Sequence, residues 1–229
     1  MSLKPRHIKS FVLRQGKITS GQQQALTQLM PQYGIGYTEH LINLEQYFQR
    51  TNSKIIEIGF GMGHASWQIA KQNPDNDYLG IEVHAPGVGA LLMSLLEHEI
   101  TNMRIIQHDA VLVLKNMIMD NSITGFHIYF PDPWHKKKHH KRRLIQTDFI
   151  DLMCSKLKDD GYIHVATDWE HYAMYMLKLF GQNKQLSNQS INGDFVERPQ
   201  YRPLTKFEQR GVNLGHQVWD LVFKKNKFV

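Results

Sequence analysis

Short apolar runs alternate with amphipathic stretches along most of this 229-residue chain. Five apolar runs rich in isoleucine and valine predict β-strands at residues 54–59, 77–83, 103–109, 125–131 and 161–167. Helical spacing of apolar residues predicts helices between them, at 63–72, 86–99, 110–120 and 144–158. Strands that alternate with helices favour an α/β fold with a parallel sheet and helices on both faces.

The two ends of the chain carry different patterns. Residues 1 to about 38 are predicted to form a basic arm with a short helix, and helical spacing indicates another helix over 38–48. A late strand is predicted over 216–225, where apolar and polar residues alternate. We find no repeat, low-complexity linker or compositional break, so a single domain over 1–229 is expected.

The sequence argues against a membrane-spanning segment, a secretory signal and a disulfide framework. The longest nearly apolar run, residues 87–96, is too short to cross a membrane. The N-terminus lacks the apolar stretch of a secretory signal, so a cytoplasmic location is expected. The single cysteine, Cys154, excludes an internal disulfide framework, and we interpret it as a packing residue. No metal site is predicted, and no obligatory protein partner is evident.

Positive charge is concentrated in two segments. The chain has 27 Lys and Arg against 21 Asp and Glu, a formal net charge of +6. Residues 136–143 hold six of these basic residues and no acid, which equals the whole excess. Residues 1–38 hold five more and again no acid. Two basic patches on a near-neutral or acidic body favour a polyanionic partner such as nucleic acid, with a solvated charge run as the alternative.

A glycine-rich turn follows the first predicted strand. Gly59, Gly61 and Gly63 stand between this strand and a helix, where glycine lets the backbone approach a ligand closely. A dinucleotide fingerprint would have its third glycine at position 64, which is His64 here. The carboxylate of Glu57, two residues before Gly59, would repel a pyrophosphate. It suits a cationic ligand such as S-adenosylmethionine.

Acids also end the next two predicted strands. Glu82 comes 23 residues after Gly59, where a carboxylate can accept hydrogen bonds from ribose hydroxyls. Asp109 ends the third strand and is placed to meet an adenine edge, although it is also a good helix N-cap. Together with Glu57 these acids favour a nucleoside-bearing ligand. A dehydrogenase remains the weaker alternative.

The fourth strand leads into the sequence "FPDPW". Pro131 and Pro133 stiffen the backbone around Asp132, which makes Asp132 a candidate for catalysis or for positioning the substrate. Trp134 is either a surface on which a base stacks or a core residue. A turn-forming aspartate is the alternative for Asp132.

The fifth strand ends in a second acid and aromatic pair, Asp168 and Trp169. Two such pairs at neighbouring strand ends can form a purine pocket, in which acids accept from base N–H groups while rings stack. Guanine fits because a carboxylate can bind its N1–H and amino group and leave N7 free. Since N7 carries no proton, its alkylation needs alignment and stabilisation of developing positive charge rather than a general base. Asp132 is the candidate for that stabilisation.

Several motifs resemble one known family. "EIGFGMG", "IEVH", "FPDPWHKKKHHKRR", "ATDWE" and "RPLTKFEQRG" are similar to segments of the bacterial tRNA (guanine-N7-)-methyltransferase family, and so is the N-terminal "SFVLRQGKIT". The resemblance spans about residues 8 to 225, and "FPDPWHKKKHHKRR" and "LTKFEQRG" are its specific parts. One departure is conservative, Lys17 where the family usually has arginine.

The resemblance implies a class I methyltransferase with a seven-stranded, mostly parallel sheet. It implies transfer of a methyl group from S-adenosylmethionine to N7 of the variable-loop guanine, position 46, of tRNA, with S-adenosylhomocysteine as product. Glu57, Glu82 and Asp109 match the family's cofactor contacts, and Asp132 matches its proposed catalytic acid beside the cofactor. The matches to substrate contacts are Lys136, Asp168, Thr205, Lys206, Phe207 and Glu208. The matches to the RNA-binding segment are Lys138, His139, His140, Lys141, Arg142 and Arg143.

Two other hypotheses stay open at the level of sequence. One is an S-adenosylmethionine-dependent methyltransferase that acts on a small molecule or another RNA. The other is an RNA-binding module that keeps the fold without catalysis, although intact acids at every strand end argue against it. The sequence does not decide the oligomeric state, the preferred tRNAs or the role of the N-terminal arm. It also leaves open whether Asp132 aligns the base, stabilises charge or does both.

Overall fold

The computed structural model describes residues 16–205, 208–209 and 217–227. Its strands are β1 (Ser53–Ile58), β2 (Asn76–Ile81), β3 (Met103–Ile106), β4 (Ile123–Tyr129), β5 (Leu157–Thr167), β6 (Leu186–Asn188) and β7 (Trp219–Lys225). Its α-helices are α1 (Ser20–Tyr33), α2 (Leu44–Phe48), α3 (His64–Gln72), α4 (Ala85–Glu97), α5 (Ala110–Asn116), α6 (Thr147–Lys156) and α7 (Glu170–Gln182). A 3₁₀ helix covers Lys137–Arg142.

The strands form one seven-stranded sheet in the order β3-β2-β1-β4-β5-β7-β6. Strands β1 to β5 run parallel, whereas β7 is antiparallel to both β5 and β6. The chain moves outward from β1 to β3 and then returns to place β4 on the other side of β1. The carboxyl ends of β1 and β4 therefore flank a topological switch point, where open α/β sheets bind ligands.

Apolar side chains cover both faces of the sheet. One buried cluster joins the strands to residues of α1, α3 and α4, among them Ala25, Ile69 and Leu92. The other cluster includes residues of α5, α6 and α7, among them Leu114, Met153 and Met176. This three-layer arrangement confirms the predicted α/β class. Among the described helices, none combines the length and apolar character needed to span a bilayer.

The predicted elements agree with the structure except in two regions. All five internal strands, the late strand and the four helices between strands are present, with ends that differ by a few residues. The pattern missed α7, whose buried face carries Tyr172, Ala173, Met176 and Phe180. It also missed the three-residue strand β6 and overestimated the helix predicted over 38–48, of which only α2 forms.

The second half of the predicted arm packs against the domain. A capping box formed by Thr19 and Gln22 starts α1, and Ala25 and Tyr33 on this helix are buried. Helix α1 lies along α4, and Gly34 then forms an isolated parallel bridge with Ile105 of β3. Residues 1–15, which carry most of the arm's positive charge, lie outside the described residues.

The N-terminus of α4 packs tightly on the glycine-rich turn after β1. Gly87 lies in the first turn of α4, directly over the backbone of Gly61. A Cβ at residue 87 would overlap with the carbonyl oxygen of Gly61, which is backbone and cannot swing away. Packing rather than backbone conformation therefore requires glycine at this position.

We predict that Gly87→Ala destabilises the protein by about 1–3 kcal/mol, because the added methyl group forces α4 away from the turn. Thermal unfolding of the purified variant measures this. Gly181→Ala is the matched control, since Gly181 lies in α7 and no described residue beyond its own helix and chain neighbours comes within 4 Å of its Cβ position. That change should stabilise slightly, because alanine favours a helix. Equal unfolding temperatures for the two variants would contradict the packing argument.

Candidate active site

A cleft of about 390 Å³ opens at the topological switch point. The ends of β1, β2 and β4 and the turns after them form most of its walls, and residues that follow β3 complete them. The lining residues are Ile58, Gly59, Gly61, Ile81, Glu82, Val83, His84, His108, Ala110, Tyr129, Phe130, Pro131, Asp132 and Leu144. Predicted residues from three separate strand ends, Gly61, Glu82 and Asp132, thus meet in one cleft. Its volume lies in the range of small-molecule and cofactor sites.

The glycine-rich turn presents bare backbone to this cleft. Gly59 and Gly61 have φ values of 73° and 57°. Among the described residues, apart from the chain neighbours, no atom lies within 4 Å of the position that a Cβ would take at either glycine. Gly63, with φ of 73°, ends the turn and precedes α3. Its Cβ position is instead blocked by Leu91 of α4. The first two glycines therefore leave room for a ligand, and the third allows close helix packing.

Glu82 holds the turn and the end of β2 together. Its Oε2 accepts a hydrogen bond from the Gly61 N–H at 2.9 Å. Its Oε1 accepts from the N–H groups of Val83 at 2.7 Å and His84 at 3.0 Å. A carboxylate offers about four acceptor positions, so capacity remains for a hydroxyl group on the cleft side. Glu82 thus shapes the cleft and also remains a suitable partner for a ribose.

Glu57 lies below the turn and is buried, with 4% of its surface exposed. Burial, with a smaller contribution from the negative charge of Glu82, raises the pKa of Glu57 to about 7. Glu57 lines a second cavity of about 190 Å³, together with Gly63 and Thr205. A positively charged group bound nearby would favour the ionised carboxylate.

The end of β3 contributes a histidine that sequence analysis missed. Asp109 caps α5 and accepts hydrogen bonds from the N–H groups of Val111 and Leu112 at 2.8 and 3.2 Å, so the N-cap alternative describes its position. The preceding residue, His108, lines the cleft. Its ring stacks on Tyr37 with centroids 3.7 Å apart. His108 directly precedes Asp109 at the end of β3. This position next to a predicted site residue is the sequence feature that could have identified His108 as part of the cleft.

The turn after β4 carries Asp132 to the mouth of the cleft. Asp132 is exposed, and both it and Pro131 line the cleft. Phe130 and Trp134, on either side of the turn, have φ values of 52° and 48°. This left-handed backbone is costly for residues with a side chain and persists only where surrounding contacts hold it. The carboxylate of Asp132 therefore sits on a constrained turn.

The basic run forms the 3₁₀ helix directly after this turn. Lys136, Lys137, Lys138 and Lys141 are exposed, whereas His139, His140 and Arg142 are half-buried and Arg143 is buried. Arg142 stacks over the Trp134 ring at 5.2 Å, and His139 meets the same ring edge-on. Trp134 is thus enclosed by the basic run, which favours its packing role over an open stacking surface. Desolvation and the neighbouring cations lower the pKa of His139.

Asp168 and Trp169 lie at the end of β5, the strand next to β4. Asp168 is half-buried, and 41% of the surface of Trp169 is exposed. The ring of His135 meets Trp169 edge-on with centroids 4.2 Å apart. The two predicted acid and aromatic pairs are therefore neighbours, and His135 stands between them. Trp169 is the more accessible of the two tryptophans.

A buried ionic network holds the C-terminal segment against β5 and β7. The guanidinium of Arg202 donates to both carboxylate oxygens of Glu208 at 2.7 and 2.8 Å, and to both oxygens of Asp220 at 2.8 Å. Asp220 also contacts His164 Nε2 at 2.7 Å. Glu208 is only 4% exposed, so its carboxylate faces Arg202 rather than the cleft.

This network fixes the position of Thr205, which lines the smaller cavity and accepts a hydrogen bond from the N–H of Glu208 at 3.1 Å. Two further predicted substrate contacts, Lys206 and Phe207, lie outside the described residues. The site thus combines a half-buried carboxylate in the cleft, a buried carboxylate at the smaller cavity, a constrained carboxylate at the mouth of the cleft and a basic helix beside it. This arrangement suits a cationic nucleoside ligand and an anionic macromolecule.

Comparisons with known proteins agree with this chemistry. A family model described as a putative methyltransferase matches residues 51–221. A tRNA (guanine-N(7)-)-methyltransferase of Chromobacterium violaceum is 56% identical over 220 residues, which cover 96% of each chain. The second relative, from Nitrosospira multiformis and of the same name, is 53% identical over 97% of this chain and 96% of its own.

Solved structures of much lower identity share the fold. The 16S rRNA methyltransferase KamB superposes with a TM-score of 0.60 at 10% identity, and the match covers 85% of this chain and 99% of that one. The seven-stranded sheet is thus that of the class I S-adenosylmethionine-dependent methyltransferases, as the sequence resemblance implied. On the strength of the matched family model and the near-full-length relatives, this chain belongs to the tRNA (guanine-N(7)-)-methyltransferase family.

Proposed function

We propose that this protein transfers the methyl group of S-adenosylmethionine to N7 of the guanine at position 46 in the variable loop of tRNA. The single observation that carries the proposal is the placement of Asp132. Its carboxylate lies at the mouth of the nucleoside-sized cleft and four residues before the first residue of the basic run at 136–143. A base delivered by an RNA backbone bound to that run would arrive beside Asp132.

The residues of the cleft fit the cofactor. The open backbone at Gly59 and Gly61 leaves space for its amino-acid portion, and the free acceptor capacity of Glu82 suits a ribose hydroxyl. Glu57, Gly63 and Asp109 complete the set of proposed cofactor contacts, with His108 as a further wall for the adenine. The cofactor, when bound, supplies a methyl group on positively charged sulfur and becomes S-adenosylhomocysteine.

The residues of the protein have to align the guanine with the cofactor and stabilise the charge that develops during the reaction. Guanine N7 has a lone pair and no proton, so no residue has to remove one. Positive charge develops on the purine as the new bond forms, and the carboxylate of Asp132 can stabilise it. Asp168 lies at the neighbouring strand end, where it can accept from the N–H groups of the base while Trp169 offers a ring for stacking.

The exposed lysines supply the contact with RNA. Lys136, Lys138 and Lys141 project from the 3₁₀ helix and its start, and they have no acidic neighbour in the run. Such residues bind phosphates through an interaction that weakens as salt is added, because counterions are released on binding. Thr205 is the proposed substrate contact from the C-terminal segment, together with Lys206 and Phe207, which follow it in sequence.

The pH dependence of cofactor affinity tests the role of Glu57. Its pKa of about 7 means that the carboxyl group is largely neutral at pH 6 and largely ionised at pH 7.5. A cationic ligand favours the ionised form, so affinity for S-adenosylmethionine should rise about five- to tenfold over this interval. Isothermal titration calorimetry measures this. Glu57→Gln should bind weakly at both pH values, whereas Glu97→Gln, on the exposed end of α4, should behave like the native protein. A pH-dependent Glu57→Gln variant would contradict the assignment.

Asp132→Asn tests the charge at the mouth of the cleft. The substitution keeps the shape of the side chain and removes its charge, so kcat should fall by about 10²- to 10³-fold while cofactor affinity changes little. Steady-state kinetics and calorimetry separate the two effects. Asp159→Asn is the control, because Asp159 is exposed at the opposite end of β5. Unchanged turnover in Asp132→Asn would remove Asp132 from catalysis.

Mapping of the modified nucleotide tests the proposed function itself. Unmodified tRNA is incubated with the protein and S-adenosylmethionine, digested, and analysed by mass spectrometry. We expect one 7-methylguanosine in the variable loop and none when guanine 46 is replaced by adenine. Methylation of the adenine-substituted tRNA would contradict the site, and absence of methylation in native tRNA would contradict the function.

A further inference from the structure

Arg143 differs from every other member of the basic run. It is 1% exposed and is among the largest fully buried side chains of the protein, whereas Lys137, Lys138 and Lys141 are exposed. Arg143 is one of the residues that the family resemblance implies for RNA binding. A guanidinium without exposed surface cannot meet a phosphate of a bound RNA. Its contacts therefore point to another role.

The Arg143 guanidinium connects the Asp132 turn to helix α7. Its Nε donates to the carbonyl oxygen of Pro133 at 2.8 Å, and its Nη2 lies 3.3 Å from Nδ1 of His171. The planar group also stacks over the rings of Tyr172 at 4.6 Å and Tyr175 at 4.9 Å. Tyr172 is buried in the core, so the turn is tied to the rigid interior of the domain.

The contacts of this cation are with a carbonyl group, an imidazole and two aromatic rings. The ion pairs found among the described residues do not include Arg143. Burial of a charge costs several kcal/mol before compensation, and here a carbonyl group, an imidazole and two aromatic faces provide it. Arginine suits this environment because its guanidinium stacks and donates in fixed directions, which a lysine ammonium does not. The geometry thus requires arginine rather than any positive charge.

The carbonyl that Arg143 binds controls the backbone around the acid. The Pro133 carbonyl belongs to the peptide that joins Pro133 to Trp134, and Trp134 has a φ of 48°. This left-handed conformation costs about 1–2 kcal/mol for a residue with a side chain, so contacts must hold it. Asp132 directly precedes Pro133. Rotation of this peptide would therefore move the Asp132 carboxylate relative to the cleft.

We propose that Arg143 is a positioning residue for Asp132, and that it acts by fixing the Pro133 carbonyl against α7. The proposal rests on the proposed function, since it assigns Asp132 a role in methyl transfer. The basic run then has two parts: exposed lysines that bind the RNA backbone, and a buried arginine that positions the Asp132 carboxylate. Loss of the first part affects KM, and loss of the second affects kcat.

Conservative substitution separates the two roles. Arg143→Lys keeps the positive charge but removes the planar donor, so we expect kcat to fall at least tenfold. The KM for tRNA and its salt dependence should stay near the native values. Lys141→Gln, in the same run, should instead raise KM and reduce the slope of log affinity against log salt by about one. Lys178→Gln, an exposed lysine on α7, controls for the change in net charge.

A second variant distinguishes a loss of positioning from misfolding of Arg143→Lys. Tyr175→Leu removes one aromatic face under the guanidinium and leaves the basic run intact. It should lower kcat in the same way as Arg143→Lys, with native cofactor affinity and a cooperative thermal unfolding transition. If Arg143→Lys and Tyr175→Leu keep native kcat, or if Arg143→Lys acts through KM and salt dependence like Lys141→Gln, the proposal is overturned.

Hydrogen exchange provides a measurement that needs no substrate. Amide exchange in residues 132–136, followed by mass spectrometry, should be faster in Arg143→Lys and Tyr175→Leu than in the native protein and in Lys141→Gln. Unchanged exchange would contradict the positioning role even if tRNA is methylated. If exchange is faster in the two variants but the native protein does not methylate tRNA, the proposed function alone is contradicted. The two failures can therefore be distinguished.

Discussion

The parallel pairing of β1 with both β2 and β4 is the constraint on which the site depends. Parallel strands end at the same edge, and the chain reverses its direction of travel across the sheet between β1 and β4. The glycine turn, Glu82 and Asp132 therefore converge although they are far apart in sequence. The tight packing of Gly87 on Gly61 and the hydrogen bond from Gly61 to Glu82 then fix the shape of the cleft.

Electrostatic separation is the second organising feature. Carboxylates lie inside or at the mouth of the cleft, whereas exposed cations lie outside it on the 3₁₀ helix. Burial holds the pKa of Glu57 near 7, so its charge responds to what binds nearby. This charge distribution favours a cationic ligand inside the cleft and an anionic polymer on its rim. The same division allows a cationic cofactor and an anionic RNA to occupy adjacent sites.

Residues with the same charge have different structural roles in this fold. Lys141 is exposed in the basic run, while Arg143, two positions later, is buried between the Asp132 turn and α7. Glu82 faces the cleft, while Glu208 is engaged on both oxygens by Arg202. Within each pair, the two residues carry the same sign of charge, and the sequence alone does not distinguish their roles. Burial and contacts separate a ligand-facing group from one that supports the backbone.

The sequence by itself determined the strand and helix order, the glycine turn, the strand-end acids and the basic run. These follow from local patterns, because hydrophobic period, glycine and charge are properties of neighbouring residues. It missed α7, the contribution of His108 to the cleft and the burial of Arg143. Each depends on contacts with elements distant along the chain: α7 packs on the sheet, His108 stacks on Tyr37, and Arg143 stacks on the tyrosines of α7. Only the tertiary structure decides such contacts, because they form between residues that are far apart in sequence. The identity of one of these residues does not predict which residue it will contact.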